Sequence, residues 1–202
     1  MSRNRLPMIT LWKSLVVPIH DYCSQLWSPL KIGDVQKLDI LQWYFIKKIN
    51  NMHCSDYWES LSNLHLLSFQ RRRERYQILY LWKIIENIVP NPNVHVHGIS
   101  QKCIDVRISL RNGRYCIPPA TSRQSSVKFQ STRSSSFCIH ACKLFNILPK
   151  SIRDLNHCST DTFKLKLDRF LESVPDTPHL PGLGKFCRAE SNSLVHMVPL
   201  HT

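Results

Sequence analysis

The strongest helical signal in the sequence runs from Leu64 to Val89 and reads LHLLSFQRRRERYQILYLWKIIENIV. Ser68 can accept a hydrogen bond from a free backbone N–H of the first helical turn, and Pro90 cannot continue a helix. Between these two residues there is no glycine or proline, and apolar residues recur at steps of three and four. We therefore predict one long helix over residues 69–89.

The two halves of this helix differ in character. The second half is almost wholly apolar, so we expect it to be covered on more than one side. The first half carries four arginines, Arg71, Arg72, Arg73 and Arg75. One interpretation is a solvated face on which an arginine pairs with a glutamate. The other is a phosphate-contacting patch, because a guanidinium group offers a planar fork of donors that suits phosphate.

Basic residues outnumber acidic residues over most of the chain. Its 202 residues include 27 Lys and Arg against 14 Asp and Glu, a formal net charge of +13. Residues 1–90 hold 12 basic and 7 acidic residues, residues 91–170 hold 13 and 4, and residues 171–202 hold 2 and 3. This balance favours a polyanionic partner, because contact with phosphates releases counterions.

The apolar periodicity predicts a mostly α fold in two loosely joined parts. Residues 1–90 are predicted to form a helical, bundle-like region that ends at the turn-forming residues Pro90–Asn93. Residues 91–171 are predicted to contain short extended pieces, a basic irregular segment and a pair of C-terminal helices. Residues 172–202 show no period, and we predict a disordered tail.

Within the first region, Asp34 is predicted to begin a helix that ends near Asn50. Its inner face is predicted from residues spaced three or four apart, namely Val35, Leu38, Leu41, Phe45 and Ile49. The lysines of this helix, Lys37, Lys47 and Lys48, are predicted to lie elsewhere on its surface.

Two regions supply candidate contacts to a nucleic-acid backbone, the arginine-rich helix and the Ser- and Thr-rich stretch from Ser109 to Ser136. In the second region, basic residues are spaced among Tyr115 and Phe129, whose rings can stack on bases. An unfolded basic loop without a ligand fits the same composition equally well. The predicted nucleic-acid-binding residues are Arg71, Arg72, Arg73, Arg75, Arg111, Arg114, Arg123, Lys128 and Arg133.

The sequence carries no catalytic signature. It contains no P-loop, no dinucleotide-binding glycine motif and no nucleophile elbow. No two acidic residues are adjacent, so the paired aspartates of a polymerase cannot be built locally. Cys138 and Cys142 lie one helical turn apart and, with His157 or Cys158, allow a zinc hypothesis, but core packing is favoured. We predict no enzymatic activity, no cofactor and no metal.

The eight cysteines are scattered, and no secretory signal is present, because Lys13 and Pro18 interrupt the apolar positions near the N-terminus. No apolar run approaches the roughly 20 residues that a membrane span needs. We therefore predict reduced cysteines, an intracellular location that is nuclear or cytoplasmic, and no membrane partner.

Four blocks resemble, in order, the region that follows the polymerase core in reverse transcriptases of jockey-like non-long-terminal-repeat retrotransposons. The first is LWKSLVVPIHDYCSQLWSP at residues 11–29, in which Asp21 stands where the family usually has Glu. The second covers residues 57–67, and the third is the arginine-rich helix. The fourth covers residues 131–168 and includes LFNILPKSI, in which Phe145 stands where the family usually has Trp.

The resemblance implies a thumb-like and C-terminal region of a retroelement polyprotein, which helps to grip the RNA template or the target DNA. The polymerase palm and the endonuclease would lie upstream of Met1, so this chain alone should not polymerise. Non-specific RNA or DNA is the implied partner, and the upstream reverse-transcriptase domain is a second candidate. The alternative is a helical protein–protein interaction module without a nucleic-acid role, which would use Trp58, Trp82 and an exposed apolar surface.

Overall fold

The structure, a computed structural model, describes residues 5–29, 31–49, 57–96, 99–111, 113–118, 136–176 and 192–198. Helices dominate these ranges, which confirms the predicted mostly α fold. The chain divides into two compact units. The first unit comprises Met1–Arg73 and Pro175–His196, and the second comprises Glu74–Val174 and Met197–Thr202.

In its described ranges the first unit contains helices and no strand. Its elements are α1 (Arg5–Leu11), a π-helical segment (Trp12–Val16), α2 (Val17–Asp21), α3 (Ser24–Trp27), α4 (Ile32–Lys48), α5 (Tyr57–Asn63) and the start of α6 (Phe69–Ile85). One apolar cluster joins α4 to α5 through Trp43, Ile46, Ile49, Tyr57, Leu61 and Leu64. A second cluster contains Trp12, whose ring stacks on Phe45 with centroids 4.1 Å apart.

The second unit combines two hairpins with helices. Its elements are the remainder of α6, β1 (Asn93–Val96), β2 (Ile99–Lys102), β3 (Asp105–Ser109), β4 (Gly113–Ile117), α7 (Phe137–Ile147), α8 (Lys150–Arg153) and α9 (Thr160–Ser173). Strand β1 pairs antiparallel with β2, and β3 pairs antiparallel with β4. A last short helix, α10 (Leu194–Met197), belongs to the first unit as far as His196.

The apolar half of α6 is buried on several sides, as predicted. Its buried residues are Ile78, Leu79, Leu81, Trp82 and Ile84. The Trp82 ring stacks on Phe163 of α9, with centroids 4.5 Å apart and an interplanar angle of 11°. The helix ends at Ile85 rather than at Val89, because Asn87 takes a left-handed φ of 57° that breaks the helical pattern.

The predicted boundary after residue 90 lies inside the second unit. The Asn91 side chain donates to the Ile104 carbonyl at 2.8 Å and accepts from the Ile104 N–H at 3.3 Å. The Pro92 carbonyl accepts from the Cys103 N–H at 2.8 Å. These bonds tie the turn-forming residues to the start of β3. The short extended pieces predicted after residue 93 correspond to β1, β2 and β3. The segment predicted as irregular from Ser109 contains strand β4 in its described part, and residues 119–135 lie outside the described ranges.

The predicted disordered tail is described in part. Residues 172–176 and 192–198 are described, whereas residues 177–191 and 199–202 lie outside the description. Asp176 accepts from the Ser68 N–H at 2.7 Å and from the Asn192 side chain at 2.7 Å, and Leu194 is 1% exposed. These residues differ from the prediction of disorder, because polar and apolar side chains of the tail pack within the first unit.

Candidate nucleic-acid interface

The N-terminus of α6 is built as a buried polar network. The Ser68 hydroxyl accepts from the Arg71 N–H at 3.1 Å, which confirms the predicted N-cap. Asp39 accepts from the backbone N–H groups of Phe69 and Gln70. Carboxylates are favoured here because the N-terminal end of a helix carries a partial positive charge.

Arg71 is fully buried within this network. Its Nη2 atom donates to the backbone carbonyls of Pro175 at 2.9 Å and Asn192 at 3.4 Å. A guanidinium group held in this way has no exposed edge with which to reach a phosphate. The structure therefore contradicts the interpretation of Arg71 as part of a solvated or phosphate-contacting face.

Arg73 is only 3% exposed and interacts electrostatically with Asp39. Burial raises the pKa of Asp39 to about 7, the positive charge of Arg73 opposes that shift, and Asp176 adds to it. Burial and the Arg73 charge lower the pKa of His20, whereas Asp21 raises it. Arg73 thus belongs to an internal set of charges and not to an accessible patch.

Arg72 forms a bidentate ion pair with Asp21 of α2. Its Nε atom lies 2.9 Å from both carboxylate oxygens, and its Nη2 atom lies 2.7 Å from Oδ2. The Asp21 side chain is 14% exposed. The planar guanidinium donors of Arg72, which could bind a phosphate, therefore bind a carboxylate of the same unit.

Two further arginines that were predicted to contact nucleic acid form ion pairs within the second unit. Arg75 pairs with Asp168 of α9, with Nη2 at 2.8 Å from Oδ2. Arg114 of β4 donates from Nη2 to Glu86 at 2.6 Å and from Nη1 to the Leu155 carbonyl at 2.9 Å. The Arg114 and Glu86 side chains are 12% and 10% exposed, so this pair lies mostly inside the unit.

Of the four remaining predicted residues, the described ranges include Arg111. Arg111 is exposed at the turn between β3 and β4. Arg123, Lys128 and Arg133 lie outside the described residues, so their role stays a prediction. Five of the nine residues that were predicted to contact nucleic acid instead interact with carboxylates or carbonyls of their own unit. These five are Arg71, Arg72, Arg73, Arg75 and Arg114.

An exposed basic and aromatic face lies elsewhere, on α4. Lys37, Leu41, Tyr44 and Lys48 are all exposed and follow at steps of four, three and four, so they share one side of the helix. We call these four residues the α4 basic face. At 1.5 Å per residue, Lys37 and Lys48 lie about 16 Å apart along the axis. Lys47 flanks the face and sits 4.6 Å from the centroid of the Trp43 ring.

The apolar periodicity predicted helix α4 but misassigned part of its buried face. The predicted inner face included Leu41, which is 47% exposed. The buried side instead includes the polar residues Asp39 and Gln42 together with Trp43 and Ile46. Gln42 donates to the Leu67 carbonyl at 3.0 Å, so its burial is satisfied. The spacing of Lys37, Tyr44 and Lys48 was visible in the sequence and is the signal that could have identified the exposed face.

A second exposed surface runs along the N-terminal helices. We call it the N-terminal apolar row, and each member is more than half exposed: Leu11, Leu15, Ile19, Tyr22 and Leu26. The row matches the exposed apolar surface that the protein-interaction alternative requires. Trp82 does not contribute to it, because that side chain is 0% exposed in the second unit. The side chain of Trp58 lies outside the description.

The cysteines differ from the prediction in one pair. Cys103 and Cys138 form a disulfide, so the prediction that all cysteines are reduced is wrong for these two. This bond also removes Cys138 as a thiolate ligand for the zinc hypothesis. Among the residues that the structure describes, no three His, Cys, Asp or Glu side chains are grouped as metal ligands.

Within the described ranges, no helix combines the length and the apolar character that crossing a membrane requires.

Comparison of the chain with protein-family models, with curated proteins and with solved structures gives no match.

Proposed function

We propose that this chain is a non-catalytic, retroelement-derived module that binds single-stranded RNA or DNA through the α4 basic face. The resemblance of its four sequence blocks to the region beyond a reverse-transcriptase palm supports the origin. The acidic residues discussed above serve as partners of arginines or helix termini, so we propose no catalytic role. An intracellular location is part of the same proposal.

The observation that supports the proposal is the exposure of all four residues of the α4 basic face, Lys37, Leu41, Tyr44 and Lys48. Lysines at the two ends can neutralise phosphates, and the Tyr44 ring between them can stack on a base. The exposed pair between Lys37 and Asp34, at 3.2 Å, is easily displaced by a phosphate because both side chains are at least half exposed. The α4 basic face can therefore neutralise the charge of a nucleic-acid backbone and stack on a base, and neither interaction requires a particular base sequence.

The test is fluorescence anisotropy of a labelled single-stranded RNA, titrated with the full chain over a series of salt concentrations. The variant Lys37→Ala/Lys48→Ala removes two phosphate contacts. Its slope of log affinity against log salt should be shallower by about 1.4, because each contact to a single strand contributes about 0.7. Tyr44→Ala should weaken binding roughly tenfold with little change in the slope.

The matched control is Lys143→Ala/Lys166→Ala, which removes the same charge from exposed positions of α7 and α9. It should leave the slope near that of the unaltered chain. Equal slopes for the two double variants would mean that net charge alone drives binding, and the assignment to α4 would be wrong.

A second candidate function is protein binding through the N-terminal apolar row. Burial of five large apolar side chains favours a partner with its own apolar surface, and the upstream reverse-transcriptase domain is the candidate that the resemblance names. The chain would be mixed with the polymerase core of a jockey-like element and analysed by size exclusion. Co-elution that persists at high salt and is lost in Leu15→Ser/Ile19→Ser would support this function. Dissociation at high salt would contradict it.

A further inference from the structure

Two cysteine pairs connect the β3–β4 hairpin region to helix α7. In the first pair, Cys103 lies just before β3 and is disulfide-bonded to Cys138, with Cα atoms 6.4 Å apart. In the second pair, Cys116 lies on β4 and Cys142 lies one turn after Cys138 on α7. The thiols of this second pair are free and hydrogen-bonded to each other.

Two hydrogen bonds anchor the backbone of Cys116 to helix α7. The Asn146 side chain donates to the Cys116 carbonyl at 2.9 Å and accepts from the Cys116 N–H at 2.9 Å. These two bonds clamp the backbone of β4 against α7 one turn beyond Cys142. Both cysteines are nearly inaccessible, at 2% and 1% exposure.

We propose that Cys116 and Cys142 form a second disulfide, parallel to the Cys103–Cys138 bond, when a small disulfide such as oxidised glutathione acts on the folded chain. One protein thiolate attacks glutathione disulfide, forms a mixed disulfide and releases one glutathione thiolate. The other protein thiolate then attacks the protein sulfur of the mixed disulfide and releases the second. The two thiol protons pass to the two released glutathiones, so the protein pair is oxidised and one glutathione disulfide is reduced.

The surroundings make this oxidation slow but selective. The hydrogen bond with Cys116 and burial raise the pKa of Cys142 well above its usual range. The reacting thiolate is therefore scarce, and the oxidant reaches it only when the hairpin opens away from α7. After the first exchange, the nearest thiol is the partner cysteine, which favours closure of the internal bond.

The experiment oxidises the purified full chain with a glutathione redox buffer, blocks remaining thiols with N-ethylmaleimide in denaturant and digests with trypsin without reduction. Trypsin cleaves after Arg133 and Lys143, so Cys138 and Cys142 stay in one peptide. The proposal predicts one covalent species that joins three peptides, those of Cys103, Cys116 and residues 134–143.

The variant Cys116→Ser assigns the pairing. It should leave Cys103 bound to Cys138 and place the maleimide on Cys142, as fragment spectra of the 134–143 peptide would show. A maleimide on Cys138 in this variant would overturn the proposed pairing. Recovery of Cys116 and Cys142 both alkylated in the oxidised, unaltered chain would overturn the proposal itself.

Discussion

Arg114 provides the sharpest test of the finding that the predicted arginines stabilise the fold. Replacing Arg114 by Met would remove the partner of Glu86, which accepts from Nη2 at 2.6 Å and is 10% exposed in its side chain. A buried carboxylate left without its cation lowers stability by about 3–5 kcal/mol. The Leu155 carbonyl would also lose its donor at 2.9 Å.

Urea unfolding, followed by tryptophan fluorescence, measures this loss. Trp82 reports on the second unit because it is fully buried there against Phe163. With a denaturant slope of about 2 kcal/mol/M, a loss of about 4 kcal/mol lowers the midpoint by about 2 M. The neighbouring exposed variant Arg111→Met should change the free energy of unfolding by no more than about 0.5 kcal/mol.

A double variant separates the loss of an ion pair from the loss of packing. Glu86→Gln combined with Arg114→Met removes both charges, so it should recover part of the stability lost in Arg114→Met alone. Suppose that Arg114→Met kept the urea midpoint of the unaltered chain but weakened RNA binding. Arg114 would then be a nucleic-acid contact, and its role in stabilising the fold would be refuted.

Three further changes test the packing of each unit. Gly113→Ala should cost about 2 kcal/mol of unfolding free energy, because its φ is 66° and a Cβ would lie 2.8 Å from Cγ of Asp154. Because burial raises the pKa of Asp39 to about 7, the folded first unit retains a proton that the unfolded chain has lost. Stability should therefore fall by about 3 kcal/mol as pH rises from about 4 to about 7, and Asp39→Asn should abolish this fall in urea titrations across that range. Trp82→Ala should cost about 3–5 kcal/mol through the cavity beside Phe163, measured by circular dichroism during thermal unfolding.

The long helix was predictable because its signals are local. The Ser68 cap, the apolar spacing and the absence of glycine and proline all lie within the helix or next to it. Its end was less predictable, since Pro90 marked a stop that Asn87 imposes earlier by its left-handed backbone. Helix α7 and helix α9 were likewise visible from their apolar faces.

The burial of the arginines was not predictable from the same signals. Arg72 is paired with a carboxylate 51 residues away, Arg75 with one 93 residues away and Arg114 with one 28 residues away. Periodicity describes one element at a time and says nothing about which distant acid will meet a given arginine. A cluster of cations in the first turns of a helix therefore looked like a surface patch.

The exposed surfaces were predictable only in part. An exposed apolar surface was anticipated as part of the protein-interaction alternative, whereas the α4 basic face was missed because Leu41 was counted among the inner residues. The buried side of α4 includes Asp39 and Gln42, whose burial depends on hydrogen bonds to the Phe69, Gln70 and Leu67 backbones. A hydrophobicity pattern predicts burial for a leucine and exposure for a polar residue. It does not include hydrogen-bond partners from other parts of the chain, and those partners allow Asp39 and Gln42 to be buried.

The central claim is that nucleic acid meets the chain at Lys37, Tyr44 and Lys48 and not at the arginine-rich start of α6. Ultraviolet cross-linking of the full chain to a single-stranded RNA, followed by mass spectrometry of the nucleotide-bearing peptides, tests it most directly. We expect a cross-link on Tyr44 that is lost at high salt and in Lys37→Ala/Lys48→Ala. Saturating RNA that cross-links to peptides of α6 and spares those of α4 would contradict it.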